Sequence, residues 1–374
     1  MSNLRAGLVA LFDADDLLIG RWQELAAAAF DPNPFAHPDF ALPAARTLPD
    51  GADAALLHVE DGAEMVLALP VVRRRRYRRL PVRTLATWRH PYCFLGSPLT
   101  SAADATESWD HALRHVRRAG DAELLALELL PAEIPGLASV EVAAAQRGIK
   151  VSTFERHARP MIHRRAEPTY FDASMSSKHR KNLRRQRRHL DALLEGKLER
   201  VDWGPQDLAR PAAAELFLRL EEAGWKGRTG TAIACSAADA AFFRLMVERF
   251  GEKALLQLWF LEASGTPVAA QCNLISGDTV FHFKIAYDED LAQYSPGVLL
   301  ELEMIQEFHE DVRLNHIDSC AAPGSMYESL YPDSRALTGA LVPLRQTGRM
   351  MAPMLAAALR RRERKDLAET GPDG

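Results

Sequence analysis

Hydrophobic residues along this chain follow two periods. Where they recur every three or four positions they predict amphipathic helices, and where they alternate or run together briefly they predict strands. The first half opens with an apolar strand inside MSNLRAGLVALF, followed by helices over Arg21–Phe30 and Pro38–Thr47. Strands are predicted at Ala54–Glu60 and Met65–Val72, joined by an Asp61–Gly62 turn. A helix over Ser108–Ala119 stops before Gly120, a strand follows at Leu124–Leu130, and a helix ends near Gly148. Val151–Arg156 and Pro160–His163 read as extended, and the polar Arg164–Ser174 stretch reads as a connector between domains.

The second half repeats that order more clearly. Ser176 or Ser177 caps a helix that runs past Leu194, and helices follow at Pro211–Ala223 and Ala237–Phe250. Leu255–Glu262, Pro267–Ile275 and Thr279–Tyr287 then form a meander with turns at Ser264–Gly265 and Gly277–Asp278. A helix starts at Ser295-Pro296-Gly297 and runs to about Glu310, then strands come at Asn315–Ser319 and Leu337–Pro343. A basic helical tail and a disordered end close the chain. The expectation is an α+β protein of two domains with similar element order, 1–165 and 166–348, each a mostly antiparallel mixed sheet flanked by helices, with a tail over 349–374.

Composition narrows the setting. The chain has 374 residues, 47% hydrophobic and 26% charged, which is ordinary for a globular protein with a core that needs no staples. Net charge is −4, so DNA binding is not expected and any phosphate recognition must come from local patches. Cysteines 93, 235, 272 and 320 stand singly, without histidine at zinc spacing. They read as buried, reduced thiols, and no metal is expected. No stretch approaches the ~18 apolar residues of a membrane span. The N-terminus lacks a small-residue cleavage site, so it reads as a strand and not a signal peptide. A soluble cytoplasmic protein is expected. The run RRRRYRR at Arg73–Arg79 protects an exposed edge or makes a peripheral membrane contact.

The segment Phe281–Leu300, FHFKIAYDEDLAQYSPGVLL, carries the most chemistry. A strand runs through a polar loop into a helix with Ser295 at the N-cap, Pro296 at the first position and Gly297 in the first turn. First-turn amides lack helical partners, the helix dipole is positive there, and a glycine leaves room for a phosphate. On strand Thr279–Tyr287, alternation puts His282, Lys284 and Ala286 on one face. His282 is a candidate base at neutral pH, and Lys284 a candidate grip for an anion. A second cluster, KHRKNLRRQRR at Lys178–Arg188, has seven basic residues in eleven. Its density of arginine suits a phosphate-rich ligand.

Lys284-Ile285-Ala286-Tyr287-Asp288 followed by Tyr294-Ser295-Pro296-Gly297 resembles the pyrophosphate-binding segment of GNAT acyltransferases. More narrowly it resembles the CelD/BcsL family, named for cellulose biosynthesis and related to FemAB-like proteins. The resemblance implies two tandem GNAT-like folds, the first degenerate and the second catalytic, and an acyl-CoA co-substrate. Tyr287, Tyr294, Ser295, Pro296 and Gly297, with Arg184 and Arg185, would bind that donor. Tyr294–Gly297 stands with one glycine where the superfamily has a glycine-rich loop. His282, Lys284, Asp318 and Tyr327 would carry the chemistry, with Asp318 as a second candidate base and Tyr327 as acid. Trp225 and Lys226 would line the pocket of a small-molecule or saccharide acceptor. Two rival readings follow from the same resemblance: aminoacyl transfer from tRNA, and a silent binding protein of an exopolysaccharide system.

Overall fold

The computed structural model describes residues 3–369, apart from 79, 103, 133, 134, 168, 169, 172–174, 205 and 207–209. Arg79 of the arginine run, part of the Arg164–Ser174 connector and the tail residues beyond Glu369 therefore lie outside the described residues. The chain forms two compact units. Unit 1 comprises Met1–Ala45, Asp50–Arg159 and Arg335–Gly374, and unit 2 comprises Arg46–Pro49 and Pro160–Ser334. The last strand and the terminal helix thus join unit 1, whereas sequence order alone places that strand with the second domain.

In unit 1, β1 (Leu4–Ala10), β2 (Ala54–Asp61), β3 (Glu64–Arg74) and β4 (Thr84–Thr87) pair antiparallel in that order. The short β5 (Leu99–Thr100) lies beside β3. Helices α1 (Asp16–Ala28), α2 (Pro38–Thr47), α3 (Thr106–Ala119) and α4 (Pro135–Ala145) accompany them. β4 pairs parallel with β6 (Leu124–Pro131), reached through α3. The helix forms because Trp109, Ala112, Leu113 and Val116 recur on one stripe, all buried. It stops where Gly120, at φ 76°, donates its amide to Val116 O.

β7 (Ser152–His163) leaves unit 1 and enters unit 2. There follow α5 (Ser177–Leu193), β8 (Leu198–Asp202), α6 (Arg210–Ala223), α7 (Trp225–Arg228), α8 (Ala237–Glu252), β9 (Leu256–Ala263), β10 (Thr266–Ser276), β11 (Thr279–Tyr287), α9 (Pro296–Glu310), β12 (His316–Asp318) and α10 (Tyr327–Leu330). β8, β9, β10 and β11 pair antiparallel, and β11 pairs parallel with β12. Four antiparallel strands, a helix and a parallel strand therefore occur in both units, whereas the sequence predicts three antiparallel strands in each and misses β4 and β8. The closing strands are exchanged along the chain. β13 (Asp333–Pro343), which follows unit 2's β12, pairs antiparallel with β6, while the end of β7, which follows β6, pairs with β12. α11 (Gln346–Glu369) then packs Ala352, Leu355, Ala356 and Leu359 against Val82, Ala86, Leu124 and Ala126 of unit 1.

The arginine run begins at the end of β3, and three of its five described arginines are paired. Arg73 pairs with Asp121 (2.5 Å), Arg74 with Asp50 (2.8 Å) and Arg78 with Glu155 (2.9 Å). Among the described residues no single helix is long and apolar enough to cross a membrane. Cys93, Cys272 and Cys320 are buried as expected and lie outside any disulfide, whereas Cys235 is exposed.

Candidate functional site

The site is built where β11 runs into α9. β11 pairs with β12 only over Thr279–Phe281, opposite His316–Asp318, and then continues to Tyr287 paired with β10 on its other side alone. The two strands therefore part just where α9 begins. A gap in a sheet facing a helix N-terminus is a common place for an anionic ligand. In unit 1 the corresponding strands β4 and β6 also part, but Gly96 occupies that space. A Cβ on Gly96 would lie 2.1 Å from Glu128 O and 2.9 Å from Thr87 Cγ2, so the gap there is closed by the chain itself.

The helix start differs in detail from its sequence reading. Ser295 is not a side-chain N-cap. It sits in the left-handed region at φ 53°, and its Oγ accepts from Gln186 Nε2 of α5 (3.1 Å). Gln186 also donates to Gln293 O (3.0 Å), so α5 anchors the loop that holds Tyr294. Pro296 takes the first helical position as predicted. Gly297 is buried, and a Cβ there would stand 3.1 Å from Ile285 Cδ1 and 3.4 Å from Tyr287 Cδ1. Its missing side chain lets α9 approach β11; it does not open a space for phosphate. What the turn offers an anion is backbone amides and the helix dipole.

A bulge in β11 overturns the expectation that His282 and Lys284 share a face. Cys272 pairs with Lys284 and Asn273 with His282, which leaves Phe283 as the extra residue. That residue inverts the alternation beyond it. His282 therefore lies on the α9 face, together with Ile285 and Tyr287, while Lys284 faces α6 and α8.

On the α9 face, His282 belongs to a buried polar network. Its Nδ1 lies 2.9 Å from Glu301 Oε2, and Gln271 Nε2 donates to that same oxygen at 2.7 Å. The Tyr331 hydroxyl donates to Glu301 Oε1. Tyr327 Oη lies 3.2 Å from His282 Nε2, with the two rings edge to face at 5.1 Å. If Nδ1–H is committed to Glu301, Nε2 is the acceptor toward Tyr327. Burial, reinforced by the Glu301 charge, pushes both tyrosine hydroxyls well above their ordinary range, so both stay protonated. Asp318 is fully buried nearby. Its Oδ1 accepts from the Cys320 amide (2.8 Å), and its charge adds to the rise at Tyr331.

Glu301, Gln271 and Tyr331 were not anticipated from the sequence. The signal was a carboxylate on the apolar stripe Leu299–Leu300–Met304 and an amide inside an apolar strand. Such residues are seldom buried without a partner.

On the opposite face, burial and then the charge of Lys226 lower the Lys284 pKa. Lys226 Nζ donates to Glu221 Oε1 (2.8 Å) and to Ile285 O (3.1 Å). Trp225 is half exposed, and its amide donates to Glu289 Oε1 (2.6 Å). Together with Gly224, Ala286 and Tyr287 these residues line a small cleft beside the end of β11. Trp225 and Lys226 thus stand at a cleft.

Arg184 and Arg185 do not join this assembly. Arg185 donates to Asn182 Oδ1 (2.9 Å), and Arg184 lines a groove whose α9 residues begin only at Leu299. Among the described residues no group of three or more His, Cys, Asp or Glu could hold a metal ion.

Residues 177–328 match the family model of the acetyltransferase (GNAT) domain. That match supports a transferase, with the GNAT domain in residues 177–328. No curated protein matches the chain. Among solved structures, one titled as FemX superimposes with a TM-score of 0.58 at 9% identity, covering 87% of this chain and 95% of that one. A conserved protein of unknown function from Bacteroides thetaiotaomicron VPI-5482 gives a TM-score of 0.55 at 11% identity, covering 92% and 100%. At these identities the likeness is one of fold.

Proposed function

We propose that the protein transfers an acyl group from an acyl-coenzyme A to an amine or hydroxyl of a small molecule or saccharide precursor. The observation that carries this reading is the parting of β11 and β12 in front of α9, with Lys284 on one side of β11 and the His282–Tyr327 pair on the other. The donor's pyrophosphate fits the first turn of α9 through backbone amides. Its acyl end then lies along the free stretch of β11. The acceptor enters beside Trp225 and Lys226. As its nitrogen or oxygen bonds to the acyl carbon, its proton passes to Lys284, whose lowered pKa favours the neutral amine that can take it. As the carbon–sulfur bond breaks, the thiolate takes a proton from Tyr327, which burial keeps protonated. The wording of residues 284–297 supports a place in the CelD/BcsL-like group and a cytoplasmic, polysaccharide-linked role within this proposal.

A second reading is an aminoacyl-tRNA donor. It is favoured by the exposed basic face of α5, where Lys178, Lys181, Arg184, Arg185 and Arg188 all reach solvent. Calorimetry with acetyl-CoA and longer acyl-CoAs, run beside filter binding of uncharged tRNA, separates the two. Acyl-CoA is expected to bind, and Tyr327→Phe is expected to lower kcat by roughly 10²-fold or more while leaving KM little changed. Salt-sensitive tRNA binding with no acyl-CoA affinity would replace the first reading with the second.

A further inference from the structure

Between α5 and α9 runs a groove that the acyl transfer proposed above does not use. It encloses about 360 Å³, within the ordinary range of ligand sites. Leu183, Leu299, Leu302 and Ile305 form its floor, and Phe171 and Met175 close one side. Its α9 residues run from Leu299 to His309, roughly 15 Å at about 1.5 Å per residue.

The rim is arginine. Arg187 is held by Glu303 and by Leu198 O (2.9 Å), and Arg180 donates to Met175 O (3.1 Å). Arg184 is exposed, and no side-chain hydrogen bond or ion pair engages its guanidinium among the described residues. At the far end, His309 Nδ1 hydrogen-bonds Ile305 O (2.7 Å). Its Nε2 is buried without a hydrogen-bond partner among the described residues. Buried polar atoms left in that state are the kind a ligand or water completes.

We propose that this groove binds an amphiphilic anion, an aliphatic chain whose carboxylate or phosphate head pairs with Arg184. A planar guanidinium at the mouth matches either head with two parallel hydrogen bonds. The apolar floor matches a hydrocarbon chain, with each methylene buried worth about fourfold in affinity. Most of the lining comes from α5 and α9, whose backbone groups bond within each helix, so it suits a chain and not a peptide strand. The proposal stands independently of the acyl-transfer reading, because it is read by direct binding.

The test is calorimetry on the full chain with monomeric decanoate, dodecanoate, dodecyl phosphate and dodecyltrimethylammonium, below their micelle concentrations. All three anions are expected to bind, dodecanoate on the order of tenfold tighter than decanoate, and the cation is not. Arg184→Ala is expected to weaken the anions at least about tenfold. Leu302→Trp, which fills the groove from a half-buried position, is expected to abolish binding. Circular dichroism and thermal midpoints confirm that both variants fold. Absence of dodecanoate binding, equal binding of the cation, or indifference to both variants overturns the proposal. So does binding to anionic vesicles without monomer binding, which would indicate a flat surface contact instead.

Discussion

At the scale of single residues, Gly297 sets a graded constraint where α9 meets β11. An added methyl would stand 3.1 Å from Ile285 Cδ1, the movable end of a flexible side chain. Gly297→Ala is therefore expected to be nearly neutral, because its helix-propensity gain of up to about 1 kcal/mol offsets mild crowding. Gly297→Val is expected to destabilise by about 1–3 kcal/mol through overpacking. Chemical denaturation checks both. A valine variant as stable as wild type would show that α9 and β11 are not held together at this point. The same scale sets the value of Glu301, which in a fully buried position accepts from Gln271 and Tyr331 and lies 2.9 Å from His282 Nδ1. Glu301→Gln puts a donor where the Tyr331 or Gln271 donor already points, and is expected to cost about 1–3 kcal/mol. Tyr331→Phe alone should cost a similar amount by leaving Glu301 Oε1 unsatisfied. A double-mutant cycle should then return a coupling of at least about 0.5 kcal/mol. Strictly additive losses would mean that the two side chains do not act as one network.

At the scale of elements, periodicity was a good guide wherever an element buries one full stripe or face. α3, α8 and α9 and the meander β9–β11 lie within a few residues of their predicted positions. β8 was missed because only Leu198 of Leu198–Asp202 is buried, so no alternation marks it. β4 and β5 are too short to show a period at all. The bulge at Phe283 was invisible for a different reason: one extra residue shifts a register without changing composition. It reassigned His282 and Lys284 to opposite faces, although both residue types had been singled out. Sequence thus singles out these residue types and not their arrangement. Glu301 and Gln271 were legible in principle, as polar residues in apolar company. α5 shows the limit of reading charge: its arginines were predicted to hold the donor, yet Gln186 is the residue that reaches the loop, and Arg187 is spent on Glu303.

At the scale of the whole chain, the echo between the halves was visible, but the exchange of closing strands was not. Which strand pairs with β6 is settled by contacts between residues far apart in sequence, and local pattern carries no record of them. The arrangement predicts what truncation does. A chain ending at Ser334 loses β13 and α11, and with them the buried Ala340, Leu341, Val342, Leu344, Leu355 and Leu359 of unit 1. At about 1.5–3 kcal/mol for each large side chain, that loss is comparable to the roughly 5–15 kcal/mol by which a domain is stable. The truncated chain is expected to lose cooperative unfolding of unit 1 and to be cleaved rapidly there by protease. Residues 335–374 supplied as a separate peptide should restore protection. Unchanged protection without the peptide would place the unit boundary elsewhere.

The exchange also fixes an order in time. A ribosome emits the chain from its N-terminus at about 5–20 residues per second. Residues up to Arg159 of unit 1 emerge first, yet the strand that pairs with β6 begins only near Arg335. The interval is roughly 10–35 s at that rate. Throughout it β6 has an open edge, and the apolar surface destined for α11 faces solvent. The first unit to be made is therefore the last to close, and its newborn form is the one that most needs protection from aggregation.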